Sequence, residues 1–332
     1  MSRSRSGSVS QRLAQIAATV KEEEGTMAVP WDPKATSFPS RGNLPKTENA
    51  PDGALPLNVP AVPAFARQPF EHTIKPIAPG FAYDDTYSLN TQSGTQWDGF
   101  RHMAHIKSGH FYNGATGAHI DGAEANKHRC SIHHWSDHGI GGRGVLLDYW
   151  TYAQENGIKY DPYEYHAIPL SSLVACGKAQ GIDIRPAAQG GDIQVGDILL
   201  IRSGFVSTYN SLGPSERAAA ALRPHTHGRG DGMRWAGVSP EDDMVDWLHD
   251  SYFAAVAGDA PSFEAWPSMR EDGGMLHEYI LALWGMPLGE LFDLEKLAEV
   301  CRRKGRWTFF FSSAPANVPG GVGSHANAQA FF

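Results

Sequence analysis

Four polar side chains stand close together in one eleven-residue segment, residues 92–102: Gln92, Gln96, Asp98 and His102. A short turn that runs into a strand or a helix could bring all four to one point. Their amide and carboxylate oxygens and the imidazole nitrogen are groups that hold a metal ion or hydrogen-bond a substrate amide. Polar residues beside a Gly-Thr pair are also common in loops, so the segment alone does not decide between these roles.

Eight of the fifteen histidines fall between positions 102 and 138. A neutral imidazole binds divalent metals and acts as a base near neutral pH, so this dense group predicts a polar active-site region. Surface or structural roles are still expected for most of them, and the neighbouring pair His133 and His134 is expected to pack in a loop. His102 is the exception because it follows Asp98 by four residues.

Several common catalytic motifs are absent from the sequence. It has no G-x-S-x-G nucleophile elbow, no Walker lysine loop, and no G-x-G-x-x-G between a predicted strand and a predicted helix. His277 and Glu278 begin like the zinc-protease motif H-E-x-x-H, but Leu281 stands where the second histidine would be. These absences argue against a serine hydrolase, a nucleotide hydrolase and a dinucleotide oxidoreductase.

The composition predicts an ordinary soluble globular protein, since 41% of the 332 residues are apolar and 19% are charged. The formal charge of −8, without any basic run, argues against nucleic acid or a membrane surface as a partner. No apolar stretch approaches the roughly 20 residues that span a bilayer. Cys130, Cys176 and Cys301 are far apart, so we expect buried, reduced cysteines in a cytoplasmic protein rather than disulfides.

The first 62 residues differ from the rest, because Ser and Arg and then Pro, Gly and Asn dominate them. One short amphipathic helix is predicted at residues 12–24. Three early acids, Glu22, Glu23 and Glu24, argue against a mitochondrial presequence. We therefore predict that residues 1–62 form an N-terminal arm, mobile or packed on a neighbouring subunit, and that residues 63–332 form a single α/β domain.

Short apolar runs bounded by Gly, Asp or Ser predict four strands, at residues 144–147, 198–203, 254–258 and 307–312. Helices are predicted at residues 149–156, 171–180 and 294–305, each followed or ended by a glycine. A further helix is predicted to begin with Ser239 as its N-cap and Pro240 at its first position. Its inward face would carry Val245, Trp247 and Leu248.

The opening segment resembles the metal motif His-x-Gly-Thr-His-x-Asp-x-Pro-x-His of the putative cyclase family, which includes bacterial-type kynurenine formamidase and isatin hydrolase. Gly94, Thr95 and Asp98 match this motif, and its last histidine falls on His102. Further segments agree with the family in order and spacing, at residues 142–148, 196–204, 237–240, 258–262 and 321–324. The resemblance implies a swivelling β/β/α fold, a homo-oligomer (dimer or tetramer), and metal-assisted hydrolysis of an amide, lactam or lactone in a small molecule.

Three positions depart from the family motif. Gln92 and Gln96 stand where the family has histidines, and Phe100 stands where it has proline. An amide oxygen binds zinc more weakly than imidazole does, so an oxygen-preferring ion such as manganese or magnesium becomes an alternative to zinc. The resulting Gly-Thr-Gln-Trp-Asp form resembles a subgroup of cyclase-like proteins.

The site residues follow from the motif and the resemblance together. Gln96, Asp98 and His102 are predicted to hold a divalent metal ion, manganese or zinc. The resemblance places the family's later histidine and acid on His277 and Glu290, and these two and His102 are predicted to be catalytic. The predicted substrate contacts are Gln92, Trp97, Phe100 and Tyr112, with Phe111 and Trp135 as further aromatic candidates and core packing as the alternative for each aromatic.

Two open points complete these expectations. Asp148 and Asp259, at predicted strand ends, would either orient histidines or cap turns. For the function, the alternative to a hydrolase is a metal-free lyase, isomerase or cyclase in which Asp98 and His102 exchange protons. A non-catalytic binding protein on the same scaffold is the remaining possibility.

Overall fold

The computed structural model describes residues 60–225 and 232–332. Nearly all of the predicted arm, with its helix at residues 12–24, lies outside these residues, so its extent and role stay predictions. The strands, in chain order, are β1 Glu71–Ala78, β2 Ala82–Ser88, β3 Gln96–Asp98, β4 Ile140–Leu147, β5 His166–Ile168, β6 Ile198–Ile201, β7 Ala236–Val238, β8 Ala255–Gly258, β9 Leu288–Glu290, β10 Thr308–Ser313, β11 Gly323–His325 and β12 Ala328–Phe331.

The α-helices are α1 His133–His138, α2 Tyr149–Glu155, α3 Leu170–Ala179, α4 Phe205–Ser211, α5 Pro214–Ala221, α6 Asp242–Asp250 and α7 Glu295–Lys304. A π-helix occupies Glu278–Trp284. Short 3-10 turns lie at Ala64–Ala66, Tyr112–Gly114, Gly117–His119, Ala125–Lys127 and Ala187–Gln189.

One eight-stranded sheet organises the domain, in the order β11-β3-β9-β8-β6-β4-β10-β12. Its four central strands, β9, β8, β6 and β4, are parallel. The strands outside them, β3 and β11 at one end and β10 and β12 at the other, pair antiparallel. The central strands β6 and β8 are buried along their whole length, as expected for parallel strands covered on both faces.

Two hydrophobic cores lie on opposite faces of this sheet. Along β4, Val145 and Leu147 belong to one core and Leu146 to the other, because side chains alternate along a strand. Helices α3 and α6 contribute to the first core, and α7 contributes to the second. Ile168 of β5 and Val238 of β7 also belong to the first core, so a small second sheet and helices cover that face of the main sheet, and α7 covers the other.

The predicted strands and helices are confirmed in position, and their ends shift by one or two residues, except that β4 begins four residues before the predicted strand. The clearest difference is α6, which begins at Asp242 with Glu241 as its N-cap, so the prediction of Ser239 as the cap is wrong. The backbone N–H of Ser239 donates to the carbonyl of Ile168 at 2.8 Å. Ser239 therefore continues the pairing of β5 with β7 instead of starting the helix.

Outside the main sheet, β1 and β2 form a long antiparallel hairpin. No residue of this hairpin is buried, and its tip places Phe81 with 94% of its surface exposed. Cys176 and Cys301 are buried and Cys130 is half-buried, and all three are free thiols. Within the residues that the structure describes, no helix has the length and apolar character that crossing a membrane requires.

Candidate active site

Strand β3 sets the direction of the first candidate side chains. Gln96 and Asp98 lie on one face of the strand and Trp97 lies on the other, as the alternation along a strand dictates. The hydroxyl of Thr95 donates to the carbonyl of Leu291 at 2.8 Å, which ties the start of β3 to the end of β9. The threonine of the motif thus anchors the strand.

Strand β9 brings Glu290 beside β3. Gln96 and Glu290, 194 residues apart in sequence, are direct partners in the antiparallel pairing. The side-chain amide of Gln96 donates to Glu290 Oε2 at 2.7 Å and to Asp98 Oδ1 at 3.1 Å. One buried glutamine therefore links the two buried carboxyl groups.

His277 lies among three buried carboxyl groups, at the residue before the π-helix. Its Nδ1 is 2.9 Å from both oxygens of Glu264, and its Nε2 is 2.8 Å from Glu290 Oε1 and 3.7 Å from Asp98 Oδ2. Burial lowers the pKa of His277, but the three acids outweigh burial and raise this pKa well above its usual value. In the metal-free protein His277 is therefore an imidazolium ion.

Asp98 and Glu290 do not carry the same charge in the metal-free protein. Burial and the negative charge of Asp98 raise the pKa of Glu290 to about 8, against the opposing effect of His277. Burial also raises the pKa of Asp98, but His102 and His277 outweigh burial, and its pKa lies below the usual value. Near neutral pH, Asp98 is ionised and Glu290 holds a proton.

His102 lies at the edge of this cluster. Its Nε2 is 3.9 Å from Asp98 Oδ2, its Nδ1 is 3.3 Å from the amide nitrogen of Gln92, and 23% of its side chain is exposed. Burial lowers the pKa of His102, and the positive charge of His277 adds to this, while Asp98 opposes it. His102 is therefore a neutral imidazole that can accept a proton at neutral pH.

Glu264 is the cluster residue that the sequence analysis missed. It is fully buried, and besides the His277 ring it accepts a hydrogen bond from the backbone N–H of His277 at 3.3 Å. Burial raises the pKa of Glu264, but the charge of His277 outweighs it, and the pKa is lowered. One signal could have found this residue, since Glu264 is the single acid between Asp259 and Glu271.

The donor set of this cluster fits a divalent metal ion. Asp98 Oδ2, Gln96 Oε1 and Gln92 Oε1 are buried acceptor oxygens that have no hydrogen-bond partner among the described residues. Such atoms are rare in folded proteins, and a bound ion or an ordered water often satisfies those that occur. One potential ligand atom from each of Asp98, His277 and Glu290 lies within 4.8 Å of the other two. Oxygen ligands with one imidazole suit manganese or zinc.

The family described as Putative cyclase matches residues 27–265, which is more than half of the chain. The chain belongs to the putative cyclase family. No curated protein matches the chain significantly in sequence. The predicted family assignment is thus confirmed.

This cyclase-family protein also resembles solved structures in its fold. A structure described as a novel cyclase is 27% identical, with a TM-score of 0.67, and the match covers 87% of this chain and 90% of that one. An isatin hydrolase A from Ralstonia solanacearum is 14% identical, with a TM-score of 0.51 and 99% of both chains covered. An isatin hydrolase bound to the product analogue thioisatinate is also 14% identical, with a TM-score of 0.52 and 98% of both chains covered. The predicted swivelling β/β/α fold is confirmed.

The compact group of potential metal ligands in the structure differs from the predicted metal ligands Gln96, Asp98 and His102. His277 and Glu290, predicted as catalytic, lie in one compact group with Asp98, whereas His102 stands outside this group. Strand pairing explains the change, because β9 places Glu290 directly against Gln96.

The aromatic residues predicted to contact a substrate, Trp97, Phe100 and Tyr112, pack against other aromatic side chains. Trp97 is fully buried on the far face of β3, edge-on to Phe292 at 5.2 Å between ring centroids, and its indole N–H donates to Ser313 Oγ at 2.9 Å. The prediction of substrate contact for Trp97 is therefore wrong. Phe100 and Tyr112 pack on each other, with ring centroids 4.7 Å apart.

Phe100 also meets Trp135 edge-on at 4.8 Å, so it joins an aromatic cluster with Tyr112 and Trp135. Neither Phe100 nor Tyr112 lines the cavity that borders the predicted substrate residue Gln92. That cavity is open to solvent, and its aromatic walls are Tyr163, Phe205, Tyr209 and Trp235.

Gln92 connects this cavity to the cluster. Gln92 is one of the residues that line the cavity, and its side-chain amide nitrogen donates to Asp98 Oδ1. The backbone carbonyl of Gln92 accepts from Arg67 Nη1 at 2.6 Å. Gln92 therefore borders both the cavity and the cluster, and its contact with a substrate stays a prediction.

The two aspartates considered as supports for histidines have structural contacts instead. Asp259 accepts from the backbone N–H and the hydroxyl of Ser203 at 2.6 and 2.7 Å. Asp148 caps helix α2 through Thr151 N and pairs with Arg202 at 2.8 Å. Of the two roles left open by the sequence, turn and helix capping fits these contacts.

A second group of potential ligands lies on the surface at α1. His133, His134 and Asp137 place ligand atoms within 4.8 Å of one another, and the last two residues are exposed. His133 and His134 are the first two residues of helix α1, so the expectation that this pair packs in a loop is wrong.

Proposed function

We propose that this cyclase-family protein is a metal-dependent hydrolase that opens an amide, lactam or lactone bond in a small molecule. The buried group of Asp98, His277 and Glu290 carries this proposal, because three acceptor oxygens around it have no hydrogen-bond partner in the part of the chain that the structure describes. An ion held there would neutralise a carboxyl-rich cluster that the protein otherwise balances with protons on His277 and Glu290.

Each residue of the cluster has a role in this proposal. Asp98, His277 and Glu290 would hold the ion, with Gln96 Oε1 as a further oxygen ligand. When bound, the ion would polarise the scissile carbonyl and lower the pKa of a water molecule. Glu264 would fix the ring of His277 through Nδ1, which leaves Nε2 directed at the ion.

His102 is the residue best placed to move protons. It is neutral and partly exposed, so it can take a proton from the attacking water while the water oxygen bonds to the carbonyl carbon. His102 is then an imidazolium ion. It can donate this proton to the leaving nitrogen or oxygen atom while the bond between that atom and the carbonyl carbon breaks. Gln92 would hydrogen-bond the substrate at the border of the cavity.

A metal-free lyase, isomerase or cyclase is the second candidate, and one observation favours it. His277 already hydrogen-bonds both Glu264 and Glu290, so the metal-free cluster is a connected network of proton donors and acceptors. In that case Asp98 and His102, 3.9 Å apart, would exchange protons with the substrate.

Turnover of a panel of amides, lactams and lactones separates these candidates, with protein purified without chelator or an affinity metal. A hydrolase should lose turnover in EDTA, regain it with manganese or zinc, and lose it in Asp98→Asn. Glu278→Gln is the matched control, because within residues 60–225 and 232–332 this buried acid accepts from the backbone N–H groups of Ile106 at 2.8 Å and Met275 at 3.1 Å and not from the cluster. Turnover that survives both EDTA and Asp98→Asn would contradict the proposal.

We further propose that the protein is a homo-oligomer, a dimer or a tetramer, in a reducing, cytoplasmic compartment that keeps its three cysteines as thiols. The exposed hairpin of β1 and β2 supports an oligomer. Ile74, Ile77, Phe81, Tyr83 and Tyr87 are all exposed on it, and a two-stranded hairpin is marginally stable alone. Light scattering should give a mass above one chain, and Phe81→Lys with Ile77→Lys should reduce it.

A further inference from the structure

Helix α1 carries a group of three potential metal ligands that the proposed function does not use. One ligand atom from each of His133, His134 and Asp137 lies within 4.8 Å of the other two. His134 and Asp137 are exposed and His133 is half-buried, so an ion in solution can reach this group. The group shares no residue with the buried cluster of Asp98, His277 and Glu290 and is therefore a separate candidate site.

The helix brings the three side chains together. His133 and Asp137 are four residues apart, so they lie on the same face of α1. His134 follows His133 in the chain, and the two rings lie side by side with their centroids 4.0 Å apart. Two imidazoles and one carboxylate form a donor set that zinc binds in proteins.

The space between these side chains suits an ion. Among the described residues, Asp137 forms neither a hydrogen bond nor an ion pair with His133 or His134. Ligand atoms that share a tetrahedral zinc ion, each about 2.1 Å from the metal, lie roughly 3.4 Å from one another. Small rotations of exposed side chains would therefore close the three ligands around an ion.

Ser131 orients the first of these ligands. Its hydroxyl oxygen lies 2.8 Å from His133 Nδ1, and Ser131 is itself buried. Histidines that bind a metal through one ring nitrogen commonly have the other nitrogen held by an oxygen, which fixes the ring. Nδ1 of His133 is held in this way, and Nε2 is left to bind the ion.

The position of α1 gives an ion at this site a structural effect. The helix has six residues, and a helix this short is marginally stable without other support. An ion bound to both His133 and Asp137 would join residues one turn apart. Trp135 of the same helix meets Phe100 edge-on at 4.8 Å between ring centroids, and Phe100 is two residues before His102 in the chain. Stabilising α1 therefore also supports the aromatic contact next to the active-site segment.

We propose that His133, His134 and Asp137 bind a zinc ion that is distinct from the ion of the buried cluster and that stabilises helix α1. Three protein ligands and a water molecule give zinc its usual four partners. The inference does not rest on the proposed hydrolysis, because the two groups of ligands are separate.

Zinc titration of the full chain against a chromophoric chelator tests the inference, after bound metals have been removed. The double variant His134→Gln with Asp137→Asn should bind one zinc equivalent fewer than the wild type. Each single change should weaken this site by at least about tenfold, since loss of an outer partner of a metal ligand alone costs about ten- to hundred-fold. His138→Gln is the matched control, because His138 is an exposed histidine of the same helix outside the group, and melting curves would show that each variant folds.

Hydrogen exchange of residues 133–138 measures the effect on the helix. Zinc should slow this exchange in the wild type and in His138→Gln and should not change it in the double variant. Equal zinc uptake by the wild type and the folded double variant, or wild-type exchange that zinc does not slow, would overturn the inference. Asp98→Asn should remove the ion of the buried cluster and keep the zinc at α1, so the failure of one site can be distinguished from the failure of the other.

Discussion

Glu264→Gln is expected to weaken the binding of a divalent ion by about ten- to hundred-fold. Both carboxylate oxygens of Glu264 lie 2.9 Å from His277 Nδ1, and Glu264 is fully buried. The glutamine oxygen can still accept from Nδ1, so the ring keeps its orientation while the charge that strengthens Nε2 as a ligand is lost. The expected loss corresponds to about 1.4 to 2.7 kcal/mol of binding free energy.

The assay is a competition titration in which a chromophoric chelator reports free manganese or zinc. Glu278→Gln provides the control, since Glu278 is adjacent to His277 and buried but contacts backbone N–H groups outside the cluster. Glu278→Gln should lower thermal stability and keep the wild-type metal affinity. If Glu264→Gln also keeps that affinity while remaining folded, His277 does not bind the ion through Nε2 with Glu264 behind it.

Three further changes test other parts of the site. Gly323→Ala should lower metal affinity and activity, because the added Cβ would overlap Gln92 Oε1 and lie 3.0 Å from the Trp97 carbonyl oxygen. A lower melting temperature with unchanged metal affinity would show that the substitution affects only the stability of the whole protein. Metal affinity should rise as pH increases through about 8, because the ion must displace protons from Glu290 and His277, whose pKa values are both raised; a flat profile in buffered titrations would speak against these ligands. Trp97→Ala should lower the free energy of unfolding, measured by urea titration, by about 3 to 5 kcal/mol, because Trp97 is a large, fully buried core residue. A change in substrate affinity without loss of stability would show instead that Trp97 contacts the substrate.

The sequence could predict those parts of the fold that local patterns specify. Parallel strands such as β6 are continuous apolar runs, and the helices end at glycines such as Gly305, which has a φ of +59°. The start of α6 could not be placed in this way, because Ser239 has a partner in Ile168 that only the tertiary structure supplies.

The candidate site was predictable only in part. The motif identified Gln96 and Asp98, and the resemblance to the family supplied His277 and Glu290. The direction of Trp97, into the core on the far face of β3, could not be predicted because β3 has three residues, too few for the alternation to be visible in sequence. Glu264 and the residues that line the cavity beside Gln92 come from distant segments without a shared motif, so their approach depends on packing that the sequence does not display.

The cluster itself can be tested directly by anomalous diffraction from crystals soaked in manganese. We expect one strong peak bounded by Asp98, His277 and Glu290, with ligand distances of about 2.0 to 2.2 Å. A cluster without a peak, with His277 still hydrogen-bonded to Glu290, would contradict the assignment of this buried group as a metal site.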